Sequence, residues 1–513
     1  MNLLNKYKSF IILVIFVLPI FCLSVSLNAA PEVNGGPTVN GGEVHTPEDF
    51  VQALGGDEIA YNDGNTIIFK SDVTLNQSIT IKSGEYVLQG SGCYIYYANG
   101  ASIIVDGSDA VLTLGNDKGS DDHPSLTLDG NKSGGAGVRV NNGTLNIYVG
   151  TLITGFDGCT IYMADGTINM YGGVITENST EFGGAFYIQN GNLTITQATI
   201  TNCKAVSGGA IYSENGNITL IVPEISYTKV DEDGGILYMA GGEALINNGL
   251  YQYGEAKNGG AIYNAGGKLT IAGGTYVYNK AENGGAILNS TGELVIYNIN
   301  ATTFTFNEAD MGAAIYNVGY MELYDAQITY NKASTSSGGV YNGGQFIMRG
   351  GSISMNDSEG MSGGIANSGS FEMYDGSVSS NKAVKFAQGI VNSGTMILGE
   401  HCFISFNNDV YVTDNSTIEV VSELTANTPV ATLTLADGYV KGTQIVTGHA
   451  SMAEKIAITG DGKGTWSLDT EGKLQFERTP LSLPYQIVII VSAAAIVIVI
   501  IISVRMKNKK AKR

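Results

Sequence analysis

Along the middle of the chain, apolar and polar residues alternate in short bursts separated by Gly and Asn, and the bursts return at a fixed interval. The segments 268–273 (KLTIAG), 275–279 (TYVYN) and 326–331 (AQITYN) are rich in β-branched and aromatic residues with a period of two, which predicts short strands. No such unit holds a 3.6-residue periodicity long enough for a helix, and this excludes helix-pair and leucine-rich repeats. The return is countable. From GGAIYN at 259–264, one Asn column runs Asn264, Asn289, Asn317, Asn342, Asn367 and Asn392, in steps of 25, 28, 25, 25 and 25. A second is read as Asn178, Asn202, Asn279, Asn307, Asn331, Asn356, Asn381 and Asn407, and Gly-Gly openings recur at Gly183, Gly208, Gly234, Gly259, Gly284, Gly338 and Gly363.

A fixed period in this range marks a solenoid, in which each unit stacks on its neighbours. Three short strands per unit, each lying on the same strand of the next, make an all-β parallel β-helix of about 25 residues per circuit. Gly and Asn serve the turns because they tolerate positive φ, and an Asn repeated at one turn can bond its counterparts as a ladder about 4.8 Å apart. About eleven circuits fit between residues 134 and 412, a rod of roughly 53 Å. Residues 31–133 read as a cap and irregular first coils. Within them 46–54 (TPEDFVQAL) predicts one short helix, with Thr46 as N-cap and Pro47 at its first position. Residues 413–479 keep alternating strands but lose the 25-residue return, and predict a small β module with Trp466 in its core.

The two ends read as addresses. Residues 1–30 have the basic, apolar and small-residue order of a secretion signal. Residues 485–504 hold an uncharged apolar run that predicts one transmembrane helix, followed over 505–513 by a basic tail. The expectation is a single-pass protein at the cell surface, with the coil outside and the tail in the cytoplasm. Formal net charge is −20, and all 47 acidic residues lie between the ends against 19 of the 27 basic ones, so the middle carries 19 − 47 = −28. A field of that sign excludes nucleic acid as a partner.

The phrases GGAIY at 259–263, GGAIL at 284–288 and GAAIY at 312–316 carry a resemblance, as does the apolar-x-x-Asn spacing of Phe304 to Asn307 and Ile328 to Asn331. Together they resemble the GGA(I/L/V) and FxxN repeats of polymorphic outer-membrane proteins and related adhesin-like right-handed parallel β-helices. The resemblance covers roughly residues 60–412 and implies a right-handed coil, surface display and adhesion to cell-surface proteins or glycans. Outer-membrane members carry a C-terminal β-barrel where this sequence has a single apolar run.

Right-handed β-helices also include polysaccharide lyases and hydrolases, which set carboxylates with Arg, Lys or Ca²⁺ in a groove. Here Arg139 and Arg349 lie about eight circuits apart and cannot share a site. The acidic clusters Asp231–Glu232–Asp233 and Asp121, Asp122 and Asp129 around His123 are the places a Ca²⁺ ion would fit, and solvated turns explain them equally. His45, His123, His401 and His449 show no metal-ligand spacing, and no catalytic, cofactor-binding or metal residue is assigned. Cys93, Cys159, Cys203 and Cys402 are nowhere one circuit apart, and no bridge is assigned. The candidate binding residues are an aromatic column: Tyr162, Tyr187, Tyr212, Tyr238, Tyr263, Tyr316 and Tyr341, with Leu288 in the missing place. If Ile161, Ile211, Ile262 and Ile287 point inward, alternation turns these tyrosines outward. Such a column either binds sugar or protein surfaces or stacks to stabilise the rod, and a purely structural spacer remains the third reading.

Overall fold

The structure is a computed structural model that describes residues 37, 39–116, 125–413, 416–425, 429–459 and 464–478. The secretion signal, the transmembrane helix with its basic tail, and Asp121, Asp122 and His123 lie outside the described residues. Among the described residues, no helix is long and apolar enough to cross a membrane.

One circuit shows why the sequence coils. Ile211–Ser213 forms the first face, Asn217–Ile221 the second and Glu224–Ser226 the third; a two-residue strand, Lys229–Val230, forms a fourth that alternation alone does not reveal. Ile211, Ile218, Leu220 and Ile225 are buried, because a strand covered on one face by the coil interior shows its apolar set there. The next circuit repeats each strand in parallel register, with Ile211 on Leu237, Ile218 on Ala244 and Ile225 on Tyr251. The result is an all-β, right-handed type of parallel β-solenoid of about 15 turns with ~25 residues per turn, wrapped around one continuous apolar core. The Gly-Gly opening has a steric cause. Gly259 has φ +61°, where side chains are strained, and a Cβ on Gly260 would strike the backbone oxygen of Gly285 in the next coil. The 28-residue step is absorbed by a bulge in the strand Glu293–Thr305, which leaves the neighbouring registers intact.

At the N-terminal end the predicted helix spans Pro47–Ala53. Thr46 caps it and Asp49 returns the bond to the Thr46 N–H. Phe50, Val51 and Leu54 are buried against the first strands, with the Phe50 ring 5.6 Å from that of Tyr86, so the helix covers apolar surface that an open coil end would expose.

The far end departs from expectation. Parallel stacking does not stop at residue 412: Ile418–Val420 lies on Met396–Leu398, Val446–Gly448 on Ile418–Val420, and Ile456–Ile458 on Ala431–Leu433. Among the described residues of 413–479, the coil continues as far as Ile458 where a separate module was expected, and the antiparallel hairpin of Gly464–Leu468 and Leu474–Arg478 follows it. The inward apolar columns persist there while the turn markers vanish. Val412 occupies the register position below Asn392, so nothing in the sequence announces the next circuit. Trp466 packs on Phe476 at 4.6 Å and against the core, sealing the end.

Candidate functional site

The first face brings all seven predicted tyrosines into one column. Strand register sets Tyr162 on Tyr187, then Tyr212, Tyr238, Tyr263, Leu288, Tyr316 and Tyr341. They point outward, as alternation requires, but are only half-exposed. Tyr212 stacks on Tyr238 at 4.7 Å and 2°, and Tyr316 on Tyr341 at 4.5 Å and 14°. Phe182 leans over Tyr212 from the side at 4.8 Å. Stacked rings use their faces on one another and leave edges outward, while the Tyr162 hydroxyl already donates to Gln189 Oε1 and the Tyr187 hydroxyl to Glu214 Oε1. Burial pushes the Tyr212 hydroxyl up to about 12 and holds those of Tyr238, Tyr263 and Tyr316 above the ordinary phenol value. Upstream the Arg139 guanidinium sits 4.6 Å from the Tyr162 ring centroid and closes that end of the column.

The Asn residues point the other way. From Asn264 through Asn289, Asn317, Asn342 and Asn367 to Asn392, each Nδ2 donates to the next Oδ1 at 2.7–2.9 Å, and all six are buried. Asn264 Nδ2 also donates to its own turn at Gly267 O, so the ladder ties each first-face corner and is structural rather than a ligand site. A second buried ladder occupies the corner after the third face, from Asn279 through Asn307, Asn331, Asn356 and Asn381 to Asn408. Its rungs differ from the sequence reading at two places. Asn408 rather than Asn407 is the last, and Cys203 rather than Asn202 stands in the column. Asn202 instead has φ +53°.

That positive φ opens the feature the sequence reading missed. At this corner the preceding residue is left-handed: Tyr227 at +53° before Thr228 and Tyr253 at +54° before Gly254, then Tyr278 at +57°, Phe306 at +53°, Tyr330 at +57° and Met355 at +59°, each before an Asn rung. A non-glycine residue there costs roughly 1–2 kcal/mol, and before Asn279, Asn307, Asn331 and Asn356 the buried Asn bonds hold it in place. The turn also breaks the two-residue alternation. In Tyr251-Gln252-Tyr253 the first tyrosine is fully buried, and strict alternation would bury the third residue too; the left-handed corner throws Tyr253 outside and sends the following position inward. The outcome is a rail of stacked rings, Tyr227 to Tyr253 at 4.6 Å, Tyr253 to Tyr278 at 5.2 Å, Tyr278 to Phe306 at 5.5 Å and Phe306 to Tyr330 at 5.3 Å, continued by Met355. The signal was in the chain: an aromatic recurs before each turn position at the repeat period.

Two residues beyond the rail, the fourth face lines up Lys229, Glu255, Lys280, Glu308, Lys332 and Asp357 in strand register. Lys229 Nζ lies 2.9 Å from Glu255, and its hydrogen bond raises the ammonium pKa; Lys280 lies 3.5 Å from Glu308. Solvent screens these pairs, and each is worth little on its own.

For chemistry, the second face offers one constellation. Arg349 Nε donates to Glu322 Oε1 at 2.9 Å, the guanidinium lies 5.4 Å from the Tyr374 ring, and Tyr374 Oη donates to Glu372 Oε2 at 2.9 Å. Arg139 is distant from this group, as the circuit count required. Among the described residues, no group of three or more His, Cys, Asp or Glu residues could hold a metal ion. Asp231 and Glu232 are exposed, and Asp233 accepts from Asn258 Nδ2 at 2.8 Å. No disulfide joins Cys93, Cys159, Cys203 and Cys402, and burial pushes the Cys203 and Cys402 thiols up to about 12. Comparison with known proteins returns no matching family model, no matching curated protein and no matching solved structure.

Proposed function

We propose that the chain is an adhesin-like, membrane-anchored surface protein whose coil presents repeating columns of side chains to cell-surface proteins or glycans. The observation that carries this reading is the first-face tyrosine column, which repeats an outward aromatic ring at the coil step over many circuits, with Leu288 as its break. A column of that kind fits an extended, repetitive ligand better than one small substrate, because each added repeat makes the same contact again. Placement outside a cell rests on the sequence pattern of residues 1–30 and 485–513. The test is binding of the purified chain to a glycan panel and to intact cells. Saturable binding that falls at least tenfold on combined Tyr212→Ala, Tyr238→Ala and Tyr263→Ala substitution supports the reading. Undiminished binding by that variant overturns the tyrosine face, and an absence of any ligand favours a spacer.

The Arg349 group favours a second reading, cleavage of a polysaccharide on the second face, since it sets an arginine beside a carboxylate with a second carboxylate nearby. Cleavage of an acidic glycan that disappears with Glu322→Gln supports it; cleavage that survives the change rules out this group.

A further inference from the structure

The aromatic rail is an apolar surface without a partner. Tyr227 is 54% exposed, Tyr278 48%, Phe306 45%, Tyr330 50% and Met355 48%, and the strip is contiguous over six coils. Five such side chains, with the more buried Tyr253 between them, amount to roughly 500 Å² of largely apolar surface, toward the upper end of what monomers display. With the charged residues alongside, about 800 Å² per copy becomes available, which is the size of a standard specific interface.

The order of charges says what fits it. Beside the six apolar rungs the sequence of signs is Lys229 plus, Glu255 minus, Lys280 plus, Glu308 minus, Lys332 plus and Asp357 minus. The row runs on to Lys204 and Lys382 beyond the apolar rungs, and beside the rungs its six alternating signs are complementary to their own reverse. We propose that the rail is a self-association surface on which a second copy of this chain packs antiparallel, with a two-fold axis passing between the coils of Tyr278 and Phe306. A two-fold axis lying in the contact plane and perpendicular to the rod reverses the direction along the rod and keeps lateral order, so rail meets rail and charge row meets charge row. In that register Lys280 faces Glu308 of the other copy, Glu255 faces Lys332 and Lys229 faces Asp357, each contact occurring twice. The rungs match as well: Tyr278 meets Phe306, Tyr253 meets Tyr330 and Tyr227 meets Met355.

The competing arrangements pair like with like. Placing the axis on the Lys280 coil sets Glu255 against Glu308 and Lys229 against Lys332. A parallel pair about an axis along the rod brings the rails together but sends the two charge rows to opposite sides of the contact. The apolar strip stops after six rungs, because Asn202 and Ser380 occupy the rail positions before Tyr227 and after Met355; in the proposed register the flanking Lys204 and Lys382 face one another outside the strip, where solvent screens them. Apolar contact supplies the affinity and the alternating charges supply direction and register, the usual division between these forces. The proposal does not depend on a glycan-binding or adhesive role for the tyrosine face.

Sedimentation equilibrium of the full-length chain in mild detergent, over a concentration series and at low and moderate salt, tests this. A dimer at micromolar concentration that weakens with salt is expected. Phe306→Ser should weaken it at least tenfold. Lys280→Glu, which sets two carboxylates face to face, should weaken it about tenfold, and adding Glu308→Lys in the same chain should restore it to within threefold. Unchanged protection of the Cys203 thiol shows in each case that the coil is intact. A protein monomeric at all concentrations overturns the proposal, as does a dimer indifferent to Phe306→Ser. A monomer whose binding to anionic or neutral vesicles, or to glycans, is lost with Phe306→Ser assigns the rail to that occupant instead.

Discussion

Replacing Asn331 by alanine removes a rung from the middle of the second ladder. Asn331 is fully buried; its Nδ2 donates to Phe304 O at 3.0 Å, Thr329 O at 3.1 Å and Asn356 Oδ1 at 2.9 Å. Its Oδ1 accepts from the Asn307 backbone N–H at 3.0 Å and from Asn307 Nδ2 at 2.9 Å. Asn307 Nδ2 keeps Tyr276 O at 3.0 Å, and Asn356 Oδ1 keeps the residue-331 N–H at 3.0 Å. The Asn307 N–H is left without its acceptor in a dry interior, and the Phe304 and Thr329 carbonyls each lose a donor. At about 1–3 kcal/mol for each, the expected local cost is about 4 kcal/mol. Because coils open locally rather than all at once, hydrogen–deuterium exchange over peptides spanning 303–309 is the appropriate readout. Exchange there should accelerate about 10³-fold. The partly buried rung Asn258, which bonds Asp233 and Asn283 by side chains alone, provides the control, and Asn258→Ala should cost no more than about 1 kcal/mol. An acceleration below tenfold for Asn331→Ala, or an equal effect for Asn258→Ala, would refute the idea that buried Asn bonds hold the corners.

Other outcomes follow from the same geometry. Tyr278→Gly should change stability by less than about 1 kcal/mol, because relief at φ +57° offsets lost stacking, whereas Tyr278→Val should lose about 2 kcal/mol or more; paired denaturation curves decide. Asp233, held above the usual carboxylate range chiefly by burial, makes a contribution that is present below its unfolded pKa and lost as pH rises through the folded one. Asp233→Asn should therefore stabilise the protein at pH 7 relative to its effect at pH 3, in melts run at both. With a maleimide at neutral pH, half-exposed Cys159 should react while Cys203 and Cys402 stay protected, as mass spectrometry of the labelled chain will show.

Much of the fold was legible because the turns are chemically marked. Gly259 and Gly260 need a missing Cβ, and Asn264 needs a ladder partner, so both recur at the circuit length. The coils beyond Asn392 were not legible, since Val412 continues the column with packing alone and alternation without a turn marker looks like any β domain. Which way the tyrosine column faces was not legible, since alternation turns it outward only if Ile161, Ile211, Ile262 and Ile287 point in, and its half-burial depends on Phe182 and on stacking between circuits, which lie far apart in sequence. Parity then misleads at Tyr253, Tyr278 and Tyr330. A left-handed residue at the corner resets which side is out, and nothing in composition signals a positive φ at tyrosine. The same blind spot shifted Asn202 into a column that Cys203 occupies.

Register is the claim beneath all of this, and a distance ruler along the rod measures it. Thr199, Glu224, Leu250, Thr275, Thr303, Gln327, Ser352 and Ser377 succeed one another in strand register on the third face. Spin labels at Thr199→Cys and Ser377→Cys, in a chain with Cys159→Ser, should then report one narrow distance near 34 Å by pulsed electron resonance, seven steps of about 4.8 Å. A broad distribution, or a peak more than about 10 Å away from that value, contradicts a coil that returns to the same place every circuit.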